Sequence, residues 1–511
     1  MEVLVKKAPA LRCLTNIHRT QINILRNSSF NKQKPVTNMD RALQYFDVSY
    51  QAVYGREWPS MRIALLCQNK YVAILNNYCA NFEQNKQRFE NLGCFDLGAK
   101  YRINCLKMQS KLKLLQPPVE AAEDNTEDAG DSDDQQEEEC RIPVRQMNDD
   151  ELAELANMPA PRRYPSHFRE LADTHGGSPQ LLTSSEPSYD RVLLPQLHIS
   201  PELQAHGIQD FLPSDNIKGI EEDDEFTEDT DVFDKLRMSS TPGDSVSFVD
   251  EVEFLHWPEM LTVMGFPRAD ISTFHKPLKD NGLFDHFALD GASILPVLLL
   301  GVKEGDSVLD MCAGPGGKTF ALLQTCLTGV MQSNDVNLNR VKRIENIIQQ
   351  YYEPQCKVLK SHRITVSDGC NVTGNRFDRV LVDVPCLTDR HCLQEHEGNI
   401  FQKSRQKERV SIPEKQADLL VSAIKHVKVG GSVVYSTCTL TPIQNDGVVH
   451  LALNTLWDHT DIECQVVNLS GVLDPLRFAY KFSIGKYGTL VLPWLPNNYG
   501  PMYFAKLVRT K

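Results

Sequence analysis

Short runs rich in Val, Ile and Leu recur through the C-terminal half of the chain, separated by stretches of helical periodicity. The apolar runs lie near residues 307–312, 329–335, 363–367, 379–384 and 432–437. Their almost continuous apolar character is typical of strands that are buried on both faces of a parallel sheet. The alternation of strands with helices predicts an α/β fold with a mainly parallel sheet.

A glycine-rich segment follows the first of these strands. The sequence SVLDMCAGPGGKT (307–319) contains Gly316, Gly317 and Lys318, and a helix-like run begins at Phe320. In a strand, glycine turn and helix, backbone N–H groups can approach a bound nucleotide closely. The spacing matches neither GxxxxGK[ST] nor GxGxxG. The segment suits a carboxypropyl or ribose group rather than a diphosphate, which favours S-adenosylmethionine over a dinucleotide.

Three predicted strands end in an aspartate. Asp335 ends the second strand, about 20 residues after the glycines, where an acidic residue meets ribose hydroxyls in nucleotide-binding α/β folds. Asp368, followed by Gly369, ends the third strand, and Asp383 ends the fourth. A single aspartate at a strand end is more often a helix cap than a ligand. Three strand-end aspartates that follow a glycine loop favour a ligand site.

Two cysteines also follow predicted strands, Cys386 in VLVDVPC and Cys438 in VVYSTCT. Ligands of open α/β sheets bind outside the carboxyl ends of the strands, so both thiols are expected where a cofactor and a substrate meet. Cysteine is also a favoured buried residue, and two of the 14 in this chain can fall in strands by chance. The glycine loop that precedes both cysteines favours the functional interpretation.

The motifs CAGPGGK, DVPC and STCT, at these spacings, resemble the RsmB/Nop/Sun family of RNA 5-methylcytosine methyltransferases. The strings DVPCLTDRH, SRQKER, NYGPMYFAK and, near the N-terminus, LQYFDVSY, WPSMR and KYVAILNN are similar to its mitochondrial branch, which acts on small-subunit ribosomal RNA. The resemblance implies a Rossmann-like, seven-stranded methyltransferase sheet, completed by the strand-like segments IECQVV, TLVLPW and MYFAKLV. It also implies S-adenosylmethionine as the cofactor.

The chemistry of the reaction explains why a cysteine is needed. Carbon 5 of cytosine is a poor nucleophile, and a thiolate that adds to carbon 6 makes carbon 5 enamine-like. The residues alone do not choose between the two cysteines. The family resemblance implies that Cys438 is the nucleophile, that Cys386 acts in product release, and that Asp383 holds the cytosine edge with Lys318 close by. It further implies cofactor contacts from Gly316, Gly317, Lys318, Asp335, Arg340, Asp368, Gly369 and Asp383.

Charge is unevenly distributed along the 511 residues. The net charge of −13 arises from two acidic runs, at 120–139 and 221–234, that hold 20 of the 67 acidic residues and lack Lys and Arg. Like-charge blocks of this density repel and stay disordered. The predicted organisation is a leader (1–39), a small helical N-terminal lobe (40–118), a mostly disordered acidic linker (119–250) and a catalytic domain (251–511). The net basic charge of the lobe fits an RNA-facing surface and an ordinary soluble lobe equally well.

The predicted leader holds seven Lys or Arg and only Glu2 as an acid. It lacks a long apolar segment, so its composition matches a mitochondrial transit peptide rather than a secretory signal. A basic arm that binds nucleic acid is the alternative. The resemblance favours the mitochondrial matrix. It also implies a partner, a helical-repeat protein of the mitochondrial transcription termination factor family, because the sequence shows no RNA-binding module.

Basic residues after the DVPC motif are further candidates for contact with RNA phosphates. They are Arg390, His391, Arg405, Lys407 and Arg409. A solvated helix face is the alternative interpretation of these residues. The scattered cysteines contain no CxxC pair and suggest neither a zinc site nor a disulfide framework. Two other functions stay open: a non-catalytic ribosome-assembly factor that keeps the fold, and a cytosine-5 methyltransferase that acts on transfer RNA or DNA.

Overall fold

A computed structural model describes residues 36–115, 246–251, 254–372 and 377–511. The predicted transit peptide lies outside these residues except for its last four positions, and the predicted acidic linker lies outside them except for residues 246–250. The described residues all belong to one compact unit. None of the helices in these ranges combines the length and the apolar character needed to cross a membrane.

The helices surround the two main sheets. They are α1 (Asn38–Tyr54), α2 (Trp58–Leu66), α3 (Phe82–Asn91), α4 (Leu97–Leu115), α5 (Ile294–Leu299), α6 (Gly317–Gln324), α7 (Leu338–Tyr351), α8 (Lys357–Lys360), α9 (Asp389–Gln394), α10 (Gln406–His426), α11 (Asp446–His459) and α12 (Ser470–Leu473). The long helix α1 begins at a capping box, in which the Thr37 hydroxyl accepts from Asp40 N–H and the Asp40 carboxylate accepts from Thr37 N–H.

The strands form two sheets and one short hairpin. They are β1 (Tyr71–Leu75), β2 (Phe95–Asp96), β3 (Ser247–Asp250), β4 (Val263–Gly265), β5 (Lys279–Asp280), β6 (Leu283–Phe284), β7 (His286–Asp290), β8 (Asp306–Asp310), β9 (Thr328–Asp335), β10 (His362–Val366), β11 (Phe377–Asp383), β12 (Val427–Thr437), β13 (Cys464–Asn468), β14 (Phe482–Ile484), β15 (Thr489–Val491) and β16 (Met502–Arg509).

The main sheet has the strand order β10-β9-β8-β11-β12-β16-β13-β3. The five strands from β10 to β12 are parallel, and β16 is antiparallel to both of its neighbours β12 and β13. The predicted α/β fold with a mainly parallel sheet is therefore confirmed. With β14 and β15 this sheet has ten strands where seven were predicted, and β3 extends it at one edge. The TLVLPW segment forms β15, a short strand that pairs with β14 and β16 beside this order.

The segment predicted as a helical lobe contains α1 to α4, and it also supplies strands to a second sheet, of order β2-β4-β1-β7. Strand β1 comes from KYVAILNN, and its residues Val72 to Leu75 are fully buried. Its backbone groups pair with β4 and β7, which follow the predicted linker in the chain. Strand β1 is apolar and hydrogen-bonded along both edges, so it is an interior strand of this sheet. The predicted lobe and the segment after the predicted linker therefore contribute strands to the same sheet.

The parallel strands are apolar on both faces because helices cover each side. Leu309, Val380 and Val433 belong to one buried cluster, and Val308 and Leu381 to another. Each side chain of this kind contributes about 1.5–3 kcal/mol when it is fully buried. The result is a rigid sheet whose carboxyl-end edge fixes the positions of the polar residues that follow the strands.

Candidate active site

The carboxyl ends of four adjacent parallel strands meet at one edge of the main sheet. Asp310, Asp335, Asp383 and Thr437 are the last residues of β8, β9, β11 and β12. In the strand register, Asp310 pairs with Leu381 and Ser333, so β8 ends two residues before its neighbours β11 and β9, whereas Asp383 pairs with Ser436, one residue before the end of β12. This edge is the position at which open α/β sheets bind ligands.

The glycine-rich segment turns tightly between β8 and α6. Gly316 has φ +105°, a left-handed conformation that side chains disfavour, and α6 begins at the next residue. The backbone N–H of Gly314 donates to Asp335 Oδ2 over 3.1 Å. A Cβ atom on Gly317 would lie 2.8 Å from a Leu289 methyl carbon. The segment therefore has little space for side chains, as expected where backbone approaches a ligand.

Asp335 and Arg340 lie beside this turn. The Asp335 side chain is 3% exposed, and its Oδ1 accepts from Asn337 N–H over 2.8 Å. Its Oδ2 lies 3.7 Å from Arg340 Nη1, and the Arg340 side chain is about half exposed. The structure thus brings Asp335, Arg340 and the glycine turn together in one cradle at the end of β9. Their contacts with S-adenosylmethionine stay a prediction.

Replacing Gly314 with alanine is expected to weaken cofactor binding. The new Cβ would lie 2.6 Å from Asp335 Oδ2 and 2.7 Å from the Arg340 side chain, so both must move. Overpacking of this kind costs about 1–3 kcal/mol, which, if lost from cofactor binding, corresponds to a rise in Kd of about 5- to 150-fold. Isothermal titration with S-adenosylmethionine measures it. Gly471→Ala is the matched control because its Cβ would meet no atom within 4 Å, and an unchanged Kd for Gly314→Ala would contradict the cradle.

Asp368 and Gly369 follow β10, the neighbour of β9. Asp368 accepts from Cys370 N–H over 3.0 Å and so caps a single helical turn that begins at Gly369. A Cβ on Gly369 would lie 2.6 Å from a Leu419 methyl carbon. The structure thus shows the capping role that a strand-end aspartate commonly has.

Asp383 is bound from two sides. Lys318 Nζ donates to Asp383 Oδ2 over 2.7 Å, and Ser436 Oγ donates to Asp383 Oδ1 over 2.8 Å. Burial lowers the pKa of Lys318, but attraction to the Asp383 carboxylate outweighs it, so the pKa is raised and the ammonium stays charged. The Lys318–Asp383 ion pair therefore keeps one positive and one negative charge at fixed positions near the carboxyl ends of the strands.

Asp310 is a carboxyl that the sequence interpretation did not assign to the site. Its side chain is fully buried, Oδ2 accepts from Thr319 Oγ1 over 2.7 Å, and Oδ1 has no hydrogen-bond partner in the described part of the chain. Burial and the negative charge of Asp383 raise the pKa of Asp310 to about 7, against the opposing Thr319 hydrogen bond. Such a carboxyl can hold or release a proton near neutral pH. Its position at the end of β8 was the signal that could have identified it.

The two predicted cysteines lie side by side. Their Sγ atoms are 3.1 Å apart, and the backbone N–H of Cys438 donates to Cys386 Sγ over 3.3 Å. The hydrogen bond with Cys386, followed by burial and the charge of Asp383, raises the pKa of Cys438 well above its usual range, although Lys318 acts in the opposite direction. In the free protein Cys438 is therefore a thiol, and its conversion to a thiolate requires further positive charge or a base.

The five predicted phosphate contacts differ in their burial and in their partners. The prediction is wrong for Arg390, whose guanidinium donates to Asn498 and to backbone carbonyls, and for Arg409, which is 8% exposed and lies 4.8 Å from the Phe401 ring centroid. Arg405 pairs with Glu408. His391 and Lys407 are exposed and stay candidates.

Comparisons with known proteins identify the family of the chain. The family model described as 16S rRNA methyltransferase RsmB/F matches residues 297–508. The chain is 30% identical to 5-cytosine rRNA methyltransferase nsun-4 of Caenorhabditis elegans, over 94% of both chains. It is 32% identical to 5-cytosine rRNA methyltransferase NSUN4 of Xenopus tropicalis, over 92% of this chain and 90% of the relative. A mitochondrial tRNA (cytosine(34)-C(5))-methyltransferase of Danio rerio is 36% identical over 44% of this chain and 61% of its own length.

Proposed function

The chain belongs to the RsmB/Nop/Sun family of RNA 5-methylcytosine methyltransferases, and we propose that it methylates carbon 5 of a cytosine in mitochondrial small-subunit ribosomal RNA. It is an RNA cytosine-5 methyltransferase, and its cofactor is S-adenosylmethionine. The observation that carries the proposal is the 3.1 Å contact between Cys386 Sγ and Cys438 Sγ, next to the Lys318–Asp383 ion pair.

The proposed reaction uses the two thiols in sequence. The Cys438 thiolate forms a bond to carbon 6 of the cytosine, which makes carbon 5 able to attack an electrophile. S-adenosylmethionine, when bound, supplies that electrophile as a methyl group. A base then removes the carbon 5 proton, the bond between carbon 6 and Cys438 Sγ breaks, and Cys386 assists this release. The target cytosine must be flipped out of its stack, so that both faces of its ring can be reached.

The remaining polar residues hold the substrate and the cofactor. Asp383, with Lys318 beside it, is proposed to bind the cytosine edge. Its Lys318 and Ser436 contacts support this role because they fix the direction in which the carboxylate points. The cradle described above supports the predicted cofactor contacts, which are Gly316, Gly317, Lys318, Asp335, Arg340, Asp368, Gly369 and Asp383.

The extent of the similarity favours ribosomal RNA over transfer RNA as the substrate. The relatives named as rRNA methyltransferases from Caenorhabditis elegans and Xenopus tropicalis match over nine tenths of this chain, including the N-terminal lobe, and the one from Mus musculus matches over 48% of it at the higher identity of 44%. The relative named for transfer RNA matches over less than half. The N-terminal helices and strand β1 belong to the same compact unit as the main sheet. The N-terminal segment that matches these relatives is therefore part of the folded enzyme rather than an appended tail.

The proposal includes a location and an assembly role. Residues 1–39 act as a mitochondrial transit peptide, the enzyme works in the matrix, and its reaction contributes to mitoribosome assembly. A helical-repeat protein of the mitochondrial transcription termination factor family is the proposed partner, because no RNA-binding module is recognisable in the sequence. The acidic segment 119–250 is proposed to be a linker that does not contact RNA, since its charge repels phosphates.

The test supplies the full chain with methyl-labelled S-adenosylmethionine and, separately, mitochondrial small-subunit ribosomal RNA, mitochondrial transfer RNA and duplex DNA. The expected result is label at cytosine carbon 5 of ribosomal RNA, located by nuclease digestion and mass spectrometry. Preferential labelling of transfer RNA or DNA would show that this nucleic acid, and not ribosomal RNA, is the substrate. Absence of label on every acceptor, with the helical-repeat partner present, would favour an assembly factor that binds without catalysis.

A further inference from the structure

A buried carboxylate lies directly beneath the loop that carries Cys438. Asp389, the first residue of α9, is fully buried. Its Oδ1 accepts from Thr439 Oγ1 over 2.6 Å, and its Oδ2 accepts from Leu440 N–H over 2.8 Å. Thr439 and Leu440 are the two residues that follow Cys438. Asp389 therefore joins the loop after β11, which carries Cys386, to the loop after β12, which carries Cys438.

The N-terminal helix α1 completes this network. Tyr50 is fully buried, and its hydroxyl donates to Asp389 Oδ2 over 2.9 Å. The Tyr50 ring stacks on Phe46, with 4.9 Å between the centroids. One turn later, the Tyr54 hydroxyl donates to the backbone carbonyl of Leu440. The helix thus contacts the Cys438 loop through two phenol hydroxyls and the carboxylate between them.

The composition of this network argues against a purely stabilising role. All three donors to Asp389 are neutral O–H or N–H groups. A buried carboxylate is costly even with the charge of Arg390 nearby, and burial raises the pKa of Asp389 to about 6. Apolar residues of similar volume often stabilise a fold as well or better. What a carboxylate adds is strong, directional acceptance of several hydrogen bonds at once, and this fixes geometry.

We propose that Asp389, held by Tyr50, is a positioning residue that sets the place of the Cys438 sulfur relative to Cys386 and the substrate. The inference rests on the proposed function, in which Cys438 attacks carbon 6. The 3.1 Å contact between the two Sγ atoms requires both loops to keep their spacing. Besides Cys386, which accepts the Cys438 N–H, Asp389 is a side chain from the segment after β11 that binds the backbone of the loop after β12.

The experiment uses full-length Asp389→Asn and Tyr50→Phe, each alone and combined with Cys386→Ala. Three quantities are measured: the Kd of S-adenosylmethionine, the single-turnover rate of covalent RNA adduct formation, and the iodoacetamide labelling rate of Cys438 without RNA, read by peptide mass spectrometry. Asp285→Asn is the matched control. Asp285 is also a buried carboxylate with backbone and side-chain partners, but it lies at the second sheet.

Asp389→Asn is expected to slow adduct formation about 10²-fold and Tyr50→Phe about tenfold, because small misplacements of a reacting atom have effects of this size. The Kd of S-adenosylmethionine should stay within about twofold. The labelling rate of Cys438 should rise about fivefold or more as the loop opens locally. Asp285→Asn should leave all three quantities unchanged.

Equal losses in Asp285→Asn, or a Kd that rises in parallel with the loss of rate, would overturn the positioning role in favour of general destabilisation. If Cys386→Ala alone forms no adduct, the release role of Cys386 fails, and the labelling rate of Cys438 then decides the positioning role by itself. Labelling rates that match wild type in both variants would overturn it.

Discussion

Cys386→Ala is expected to accumulate a covalent RNA adduct that survives denaturation, whereas Cys438→Ala forms no adduct and transfers no methyl group. Cys386 Sγ lies 3.1 Å from Cys438 Sγ and accepts the Cys438 N–H, so it is the group closest to the bond that must break. Removing Cys386 leaves the nucleophile in place but removes the assistance to release. Acid–base assistance of this kind contributes about 10²–10⁴-fold, and turnover should fall by a similar factor.

The measurement is a denaturing gel with labelled RNA and S-adenosylmethionine, read beside steady-state turnover. Cys326→Ser is the control, because Cys326 is an exposed thiol outside the site, and it should turn over normally without a trapped adduct. An adduct in Cys438→Ala would reverse the two assignments. A Cys386→Ala enzyme that is slow but free of adduct would show that the second thiol does not act in release.

The sheet and most of the site were predictable because their signals are local. A parallel strand buried on both faces is a continuous apolar run, and a polar residue that ends such a run must lie at the carboxyl edge. Asp335, Asp383, Cys386 and Cys438 were found in this way, and the structure brings Lys318 to Asp383. The glycine turn was visible for the same reason, since its residues are consecutive.

The contacts that depend on distant segments were not predictable. Tyr50 lies 339 residues before Asp389, and β1 pairs with strands that follow the predicted linker. No local periodicity encodes such pairings. Arg390 was misread for a similar reason: an arginine beside a catalytic motif suggests an RNA contact, and only the fold shows that carbonyl oxygens surround it. Burial and hydrogen-bond partners are properties of the packed chain.

Arg390→Ala is expected to lower the free energy of unfolding by about 3–5 kcal/mol, as is found when one partner of a buried polar network is removed. The Arg390 guanidinium makes five hydrogen bonds of 2.7–3.1 Å. Its Nη1 donates to the carbonyls of Ala64 and Cys67. Its Nε and Nη2 donate to the Gly500 carbonyl, and Nη2 also donates to Asn498 Oδ1. These contacts join the end of α2 to the segment before β16. Burial lowers the pKa of Arg390, and the negative charges of Asp290 and Asp389 act in the opposite direction.

Urea unfolding of the full chain, followed by tryptophan fluorescence, measures the loss. Arg390→Lys should recover little of it, because an ammonium group cannot reproduce five donors in a planar fork. Arg405→Ala is the control: its ion pair with Glu408 is exposed, and such pairs contribute about 1 kcal/mol or less. An Arg390→Ala protein with unchanged stability but weakened RNA binding would restore the phosphate-contact interpretation. The opposite pattern, lost stability with RNA affinity retained by the folded fraction, identifies Arg390 as the link between the N-terminal lobe and the catalytic sheet.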